Sequence, residues 1–215
     1  MPVESNGREQ PAWATAAHQH LLAADAPMAN LARRQGSVVR SVTGEHFPRL
    51  VRAIVGQQIS VKAAASIYGR LAAATGEPPT PATLAAQTDE ALRACGLSNA
   101  KVRAVRDLAD HALDGRLTLA HLDTLSDEEV VGQLIAVRGI GRWTAEMFLM
   151  FSLARPDVLA AGDLGVQAGI QRLYSTEMRP SPMEVIEIAA RGGWHPYATA
   201  ACFQLWESLK NNPAL

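Results

Sequence analysis

A short glycine turn and a downstream aspartate are the features of this sequence whose spacing could do chemistry. The turn is Val137-Arg138-Gly139-Ile140-Gly141-Arg142-Trp143-Thr144-Ala145, and the aspartate lies in Ala161-Gly162-Asp163-Leu164-Gly165. Glycine at 139 and 141 allows the backbone to turn sharply and to approach a phosphate closely. A helix beginning near Gly141 would point its free amides at that anion, so the turn predicts binding to nucleic-acid phosphates without regard to base sequence.

Asp163 is the candidate for the chemical step. A carboxylate in such a position could stabilise positive charge that develops on a substrate in the transition state. The same carboxylate could orient the attacking water, and the sequence leaves open whether it acts as a base or only as a charge. The structural alternative is that Asp163 caps the helix that begins near Leu164.

The elements that must position these residues are helices. Hydrophobic residues make up 48% of the chain and charged residues 19%, with few aromatic residues, which favours an all-α fold. Apolar positions recur at helical spacing from Phe47 to Val55 and from Ile59 to Leu71, on either side of a break at Gly56-Gln57-Gln58. Further helices are expected after the capping residues Thr80, Ser98 and Ser126, and over residues 142–153, 164–174, 182–190 and 196–210.

Charge and cysteine content limit the class of protein. The 20 Lys and Arg residues nearly balance the 21 Asp and Glu residues, so local patches must carry any contact with nucleic acid. Cys95 and Cys202 lack the spacing of a zinc, redox or iron-sulfur site, which favours reduced core thiols. The six histidines form no metal-binding motif, so we expect no catalytic metal and no cofactor.

The ends and hydropathy of the chain give two further expectations. Residues 1–11 are polar with Pro and Gly and are expected to form a flexible tail ahead of a helical domain over residues 12–215. No apolar run reaches the length of a membrane span, and the N-terminal residues lack the pattern of a secretory signal. We therefore expect a cytoplasmic protein without membrane contact.

The order of helix, Gly-Ile-Gly, second helix and then Asp163, 22 residues after Gly141, resembles the helix-hairpin-helix base-excision DNA glycosylases. The glycines alone would fit an ordinary connection between helices, and the aspartate argues against that alternative. The resemblance covers about residues 45–210. Within the superfamily, four segments in the family's order are similar to the alkylpurine branch, DNA-3-methyladenine glycosylase II: Val51-Arg52-Ala53-Ile54-Val55-Gly56-Gln57-Gln58-Ile59-Ser60, residues 138–145, residues 161–166 and Trp194-His195-Pro196-Tyr197.

The resemblance implies a two-lobed helical glycosylase fold over residues 12–215, with the helix-hairpin-helix motif at about residues 126–153 and a cleft between the lobes. It implies hydrolysis of the N-glycosidic bond of alkylated purines, such as 3-methyladenine and 7-methylguanine, in duplex DNA during base excision repair. The partner is then double-stranded DNA containing alkylated bases, and a monomer is expected. Relatives that also cut the backbone carry a lysine where this chain has Trp143, so a monofunctional enzyme without lyase activity is implied.

The resemblance also implies roles for single residues. Asp163 is the catalytic residue, and the flipped base is expected to contact Trp143, Trp206, Met147 and Tyr197. The alternative for a tryptophan in an apolar helix is packing in the core, and this applies most to Trp206. For Tyr197 the alternative is a structural role, which the sequence favours. Met147 stands where some relatives have an aromatic pocket residue, which leaves the shape of the pocket open.

DNA contacts are expected from two loops. The family fills the gap left by the flipped nucleotide with a side chain from the loop matching Gly56-Gln57-Gln58-Ile59, and Gln58 is the candidate for this wedge. The alternative is that both glutamines cap helix ends. The hairpin residues expected to bind DNA, whose two arginines could instead be solvated, are Arg138, Gly139, Ile140, Gly141, Arg142 and Thr144. The family alone implies a monovalent cation held by hairpin carbonyls near Val137 and Gly139.

Two other functions fit parts of the sequence. A non-catalytic helix-hairpin-helix module would bind DNA without breaking a bond, and Asp163 together with Trp143 argues against it. A glycosylase acting on mismatches or oxidised purines would be expected to carry the hairpin lysine or cluster cysteines that this chain lacks. The sequence does not rank the alkylated bases, ethenoadenine and 1-methyladenine included.

Overall fold

The computed structural model describes residues 10–39 and 45–210, and every regular element within these ranges is helical. The prediction of an all-α fold is confirmed. Most of the expected tail, residues 1–9, lies outside the described residues. A short 3-10 helix covers Leu119–Thr124, and the α-helices in chain order are α1 Ala14–Leu22, α2 Ala26–Gln35, α3 His46–Gly56, α4 Val61–Thr75, α5 Pro81–Ala85, α6 Asp89–Ala94, α7 Asn99–Leu113, α8 Asp127–Ile135, α9 Arg142–Phe151, α10 Leu164–Tyr174, α11 Pro182–Arg191 and α12 Ala198–Lys210.

The chain divides into two compact units, in agreement with the two-lobed prediction. The first unit combines residues 1–43 with residues 149–215, and the second spans residues 44–148. Within the first unit, α10 packs on α12, and α2 packs on both α1 and α12. Its fully buried side chains include Leu21, Met28, Ile170, Trp194 and Leu205.

The second unit is organised around α7. Helices α3, α5 and α6 all pack on α7, and α4 packs on α3. The apolar face of α7 contributes Val105 and Leu108, both without solvent exposure, while Ile54 of α3 and Leu84 of α5 are buried to the same degree. The residues on the remaining faces of α7 are therefore free to contact loops of the same unit.

Hydroxyl caps fix where several helices begin. Thr80 and Ser126 each form a capping box, in which the hydroxyl accepts the N3 amide and the N3 side chain accepts the N-cap amide. The Ser98 hydroxyl accepts the Lys101 amide at the start of α7. All three helix starts agree with the sequence prediction.

Some helix bounds differ from the prediction. Helix α9 ends at Phe151 rather than at residue 153, and α12 begins at Ala198 rather than at residue 196. The later start of α12 follows from a turn in which the Tyr197 amide donates to the Trp194 carbonyl. Helices α1, α2 and α6 and the short 3-10 helix have no counterpart in the prediction.

Both cysteines are free and buried, as the sequence predicts for core thiols. The Cys202 sulfur lies 3.9 Å from the Val158 carbonyl oxygen in the first unit. Among the described residues, no helix combines the length and apolar character needed to cross a membrane.

Candidate active site

The glycine hairpin joins α8 to α9, and its two glycines have different structural roles. Gly139 has a φ of 80°, a left-handed conformation that favours glycine, and a Cβ there would lie 3.2 Å from the Ala104 Cβ. Gly141 has no positive φ, and a Cβ there would meet nothing within 4 Å. The expectation that both glycines serve the sharp turn is therefore corrected: the turn needs glycine at 139, and the protein itself leaves open space at 141.

Two side chains of the second unit hold the hairpin in place. An Asp107 carboxylate oxygen on α7 accepts the Arg138 amide at 2.6 Å. The Gln57 side-chain amide donates to the Gly139 carbonyl at 2.9 Å, and the Ile140 amide donates to the Val137 carbonyl at 3.1 Å. The hairpin is thus fixed from outside as well as by its own turn, which orients the amides at the start of α9.

A pocket of about 530 Å³ opens beside the hairpin within the second unit. Half of the Trp143 side chain is exposed (50%), an unusual position for an indole that serves only core packing. Six residues that the sequence singles out line the pocket together: Gln58, Gly139, Gly141, Trp143, Thr144 and Met147.

Arg52 and Gln57 also line this pocket, although the sequence reasoning assigns neither a site role. The Arg52 guanidinium lies 3.9 Å from the centre of the Tyr68 ring, a cation–π contact that fixes the charge at the edge of the pocket. The signal available in the sequence is that Arg52 lies one helical turn before Gly56, on the helix that leads into the loop.

Gln58 lies at the centre of the loop formed by residues 56–60, here called the wedge loop. Its φ is 58°, a left-handed conformation that is uncommon for a residue with a side chain, and the residue is exposed. Gln57, in contrast, donates its side-chain amide to the hairpin. The two glutamines are therefore not equivalent. Gln57 is also the C-cap of α3, with its backbone amide donating to the Ile54 carbonyl at 3.4 Å, so the capping alternative is borne out for Gln57. The wedge role of Gln58 stays a prediction.

Asp163, in the first unit, both caps a helix and contacts an indole. Its Oδ1 accepts the Val166 amide at 2.8 Å, as the N-cap of α10, and accepts Nε1–H of Trp206 at 2.8 Å. The residue is half-buried, so part of its surface stays open to solvent. The capping role that the sequence offers as an alternative is therefore confirmed, and the same oxygen contacts the indole. The catalytic role of Asp163 stays a prediction.

Aromatic rings fix the Trp206 indole beside Asp163. Trp206 stacks on Phe151, with ring centroids 6.0 Å apart and planes inclined by 14°, and tilts against Phe203 at 5.6 Å. A Cβ on Gly165 would lie 2.9 Å from two indole atoms of Trp206, so the absent side chain makes room for the ring. The sequence reasoning missed Phe151, Phe203 and Gly165, and the Asp-x-Gly spacing was the signal for Gly165.

Tyr197 lies in a different aromatic group of the first unit. Its ring meets His20 edge-on with centroids 5.3 Å apart, and tilts against Trp13 at 6.4 Å. The Trp206 group contains neither of these partners. A contact between Tyr197 and a flipped base stays a prediction.

The two hairpin arginines differ in their partners. Arg142 forms ion pairs with Glu128 at 2.6 Å and with Glu146 at 3.3 Å. Hydrogen bonding to Arg142 lowers the pKa of the Glu128 carboxyl, and the same bond raises the pKa of the Arg142 guanidinium. The charge of Arg142 is thus largely balanced within the protein, while Arg138 is exposed. Contacts of either arginine with DNA stay predictions.

The carbonyls proposed for a monovalent cation already accept hydrogen bonds. The Val137 carbonyl accepts the Ile140 amide, and the Gly139 carbonyl accepts the Gln57 amide. Each carbonyl oxygen has a second lone pair, so cation binding stays a prediction. Within residues 10–39 and 45–210, no group of three or more His, Cys, Asp or Glu residues could hold a metal ion.

A family model for HhH-GPD superfamily base excision DNA repair proteins matches residues 51–193. The chain therefore belongs to this superfamily, as its hairpin and aspartate predict. The sequence is 37% identical over 172 residues to DNA-3-methyladenine glycosylase 1 of Schizosaccharomyces pombe, covering 77% of this chain and 73% of the relative.

Two solved structures are similar over nearly the whole chain. One is the S. pombe 3-methyladenine DNA glycosylase in complex with abasic DNA, with a TM-score of 0.80 and 31% identity, covering 93% of this chain and 99% of that one. The other is DNA-3-methyladenine glycosidase from Bacillus halodurans, with a TM-score of 0.83 and 36% identity, covering 93% and 92%. The resemblance to the 3-methyladenine glycosylases rests on sequence and fold together.

Proposed function

We propose that this protein is a monofunctional DNA glycosylase that removes alkylated purines, such as 3-methyladenine and 7-methylguanine, from duplex DNA in base excision repair. The names of its relatives support the substrate class. The observation that carries the proposal is the half-buried Asp163 carboxylate, whose Oδ1 is held by the Trp206 indole and the Val166 amide. Such a carboxylate is oriented before any substrate arrives, which electrostatic catalysis requires.

The proposed reaction is a hydrolysis at C1′ of the deoxyribose. The bond between C1′ and the base nitrogen breaks, its electron pair leaves with the base, and a cationic alkylpurine becomes neutral. The sugar develops oxocarbenium character that the Asp163 charge stabilises. Water adds to C1′ and loses a proton, which leaves an abasic site on an intact strand. Because the leaving group is already charged, the protein supplies mainly position and negative charge.

The expectation of no lyase activity is supported by two side chains. Schiff-base formation needs a free amine at the sugar, and the position that carries it in bifunctional relatives is Trp143 here. Lys101 cannot readily replace that amine, since its ammonium donates to the Val55 carbonyl at 2.7 Å and to the Gln57 carbonyl at 2.8 Å. We therefore expect released base without strand scission.

DNA binding in this proposal depends on the hairpin and the wedge loop. The amides at the start of α9 bind a backbone phosphate, Trp143 stacks on the extruded base, and Gln58 fills the gap in the duplex. The exposure of Trp143 and the left-handed backbone of Gln58 support these roles. The proposal further includes a single glycosylase domain over residues 12–215, a monomer and a cytoplasmic location.

The substitution Asp163→Asn tests the proposal. The asparagine side chain would keep an oxygen for the Val166 and Trp206 donors and is an equally good N-cap, so the fold should be retained while the charge is lost. We expect release of 3-methyladenine and 7-methylguanine from methylated duplex DNA to fall about 100-fold to 1,000-fold, measured by chromatography of the freed bases. The melting temperature should stay close to that of the unchanged protein.

Asp157→Asn is the matched control. Asp157 also accepts a hydrogen bond from a helix-start amide, that of Ala198 at 3.0 Å. It accepts a second hydrogen bond from the ring nitrogen of His195 at 2.8 Å. Its loss of charge should leave base release within about twofold. Equal release by the Asp163 and Asp157 variants, or strand scission by the unchanged protein without alkali, would contradict the proposed mechanism.

A further inference from the structure

The end of α3 leaves backbone carbonyls without helical partners, directly before the wedge loop. An α-helix leaves its last carbonyl groups unsatisfied, and they carry partial negative charge. Lys101, which projects from α7, donates to two carbonyls here: that of Val55 at 2.7 Å and that of Gln57 at 2.8 Å. Burial lowers the pKa of the Lys101 ammonium. One side chain thus joins the last turn of α3 to the first residue beyond it.

The residue that Lys101 holds is the one that contacts the hairpin. The Gln57 carbonyl accepts a hydrogen bond from the Lys101 ammonium, while the Gln57 side-chain amide donates a hydrogen bond to the Gly139 carbonyl at 2.9 Å. Gln58 follows with a φ of 58°, a conformation that a residue with a side chain adopts only where its surroundings enforce it. The constraint on Gln57 therefore acts on the peptide that leads directly into the candidate wedge.

The same face of α7 also fixes the hairpin. Ala104 lies 3.2 Å from the position that a Cβ on Gly139 would occupy, and Asp107 accepts the Arg138 amide at 2.6 Å. Lys101, Ala104 and Asp107 are spaced by three residues and so follow one side of the helix. Helix α7 is continuous from Asn99 to Leu113, so one helix contacts both loops.

We propose that Lys101 is a positioning residue, which sets the wedge loop against the hairpin through the Gln57 backbone so that Gln58 enters the duplex in register with the bound phosphate. The inference rests on the proposed glycosylase function. The proposed role requires no contact of Lys101 with the base or the sugar. It acts on the chemical step by holding the nucleotide extruded, which requires the wedge to be presented in one conformation.

Lys101→Met tests the role, because methionine keeps much of the apolar side chain and removes all three donors. In single-turnover excision of 7-methylguanine at saturating enzyme, we expect the rate to fall about tenfold, while the dissociation constant for undamaged duplex stays within about twofold. A duplex with 2-aminopurine beside the lesion should show correspondingly less unstacking. Lys101→Arg, which can still donate to both carbonyls, should recover most of the excision rate.

Arg103→Met is the matched control, since Arg103 is exposed on the same helix and its loss removes the same charge. It should excise like the unchanged protein. A measurement that does not depend on catalysis is hydrogen exchange of the amides at residues 57–60 in the free protein, which should accelerate at least about tenfold in Lys101→Met and not in Arg103→Met.

The outcomes separate the two proposals. If the unchanged protein releases no base, the proposed function fails, and the exchange experiment still tests Lys101. Should Lys101→Met unfold, Lys101→Gln, which keeps an amide donor, replaces it in both assays. Excision and loop exchange that match those of Arg103→Met would overturn the role assigned to Lys101, as would an equal loss of affinity for undamaged duplex.

Discussion

At the scale of the residue, a single carboxylate oxygen has both a structural role and a proposed chemical role. Asp163 Oδ1 accepts both the α10 cap hydrogen bond and the Trp206 indole hydrogen bond, each at 2.8 Å. A cap orients the carboxylate at a helix N-terminus, where the helix dipole favours negative charge. The contacts that make this aspartate a cap are thus the contacts that fix its position for the proposed electrostatic catalysis.

Gly165→Ala should disturb this arrangement without removing the carboxylate, since the new Cβ would also lie 3.0 Å from Asp163 Oδ1. The new Cβ would lie 2.9 Å from the Trp206 ring, and the stacked Phe151 limits how far the indole can move. We expect a loss of stability of about 1–3 kcal/mol, typical of overpacking, and at least about a tenfold loss in the rate of base release. Thermal unfolding and single-turnover excision measure the two effects.

Gly162→Ala is the control for that substitution, because it adds the same methyl group on the other side of Asp163. A Cβ at 162 would meet nothing within 4 Å, and the φ of Gly162 is not positive. Stability and excision should therefore stay close to those of the unchanged protein. If the two variants had similar stability and similar excision rates, the close approach of Gly165 to Trp206 would affect neither property.

At this scale the sequence predicts the residues with distinctive types better than their neighbours. Asp163, Trp143 and Trp206 can be singled out because a carboxylate or an indole in a motif is rare. Phe151 and Phe203, which pack against Trp206, could not, since an apolar residue in a helix gives the same signal whether it packs in a core or beside a site. Such contacts depend on which helices meet, which one sequence does not reveal.

At the scale of the element, the hairpin predicts opposite results for its two glycines. Gly139→Ala places a side chain in a left-handed conformation and 3.2 Å from Ala104, so stability should fall by about 1–2 kcal/mol.

Gly141→Ala meets no protein atom, so the fold should be retained, whereas a phosphate brought to the start of α9 would meet the new methyl group. We expect affinity for duplex DNA to fall about tenfold in that variant, measured by fluorescence anisotropy. A destabilised Gly141→Ala, or one with unchanged affinity, would contradict the assigned role.

Several helix starts with side-chain caps could be predicted, whereas α1, α2 and the Thr88-capped α6 were missed. Thr80, Ser98 and Ser126 are followed by clear apolar spacing and all cap helices. Helix α1 begins after Trp13 with no side-chain cap, so its start leaves no local signal. Helix α2 does carry a signal, since Asp25 caps it. The helix that follows is not strongly apolar, and a capping residue before such a helix is easily missed.

The wedge loop shows the limit of prediction for irregular segments. The sequence places Gln57 and Gln58 between two helices, and it supports either a wedge or a pair of caps. The assignment of one glutamine to the hairpin and the other to solvent depends on Lys101 and Asp107, which lie more than 40 residues further along the chain. Long-range hydrogen bonds of this kind are set by the fold and leave no local pattern.

For the molecule as a whole, the formal net charge of −1 restricts how it can bind DNA. A protein that neutralises many phosphates with Lys and Arg loses affinity steeply as the salt concentration rises. In a plot of log K against log salt concentration, each neutralised phosphate contributes about −0.9 to the slope. Here the proposed phosphate contacts at the hairpin are neutral amides, and the Arg142 charge is balanced by Glu128 and Glu146. The slope for undamaged duplex should therefore be shallow, about −2 to −4, measured by anisotropy over a series of salt concentrations.

Two hairpin substitutions separate the charged contribution from the neutral one. Arg138→Gln removes an exposed charge, so it should weaken binding and make the slope shallower by about 1. Gly141→Ala obstructs the amides without removing a charge, so it should weaken binding at every salt concentration and leave the slope unchanged. If Gly141→Ala altered the slope as Arg138→Gln does, the phosphate at the hairpin would be held by side-chain charge, and the role given to the start of α9 would be wrong.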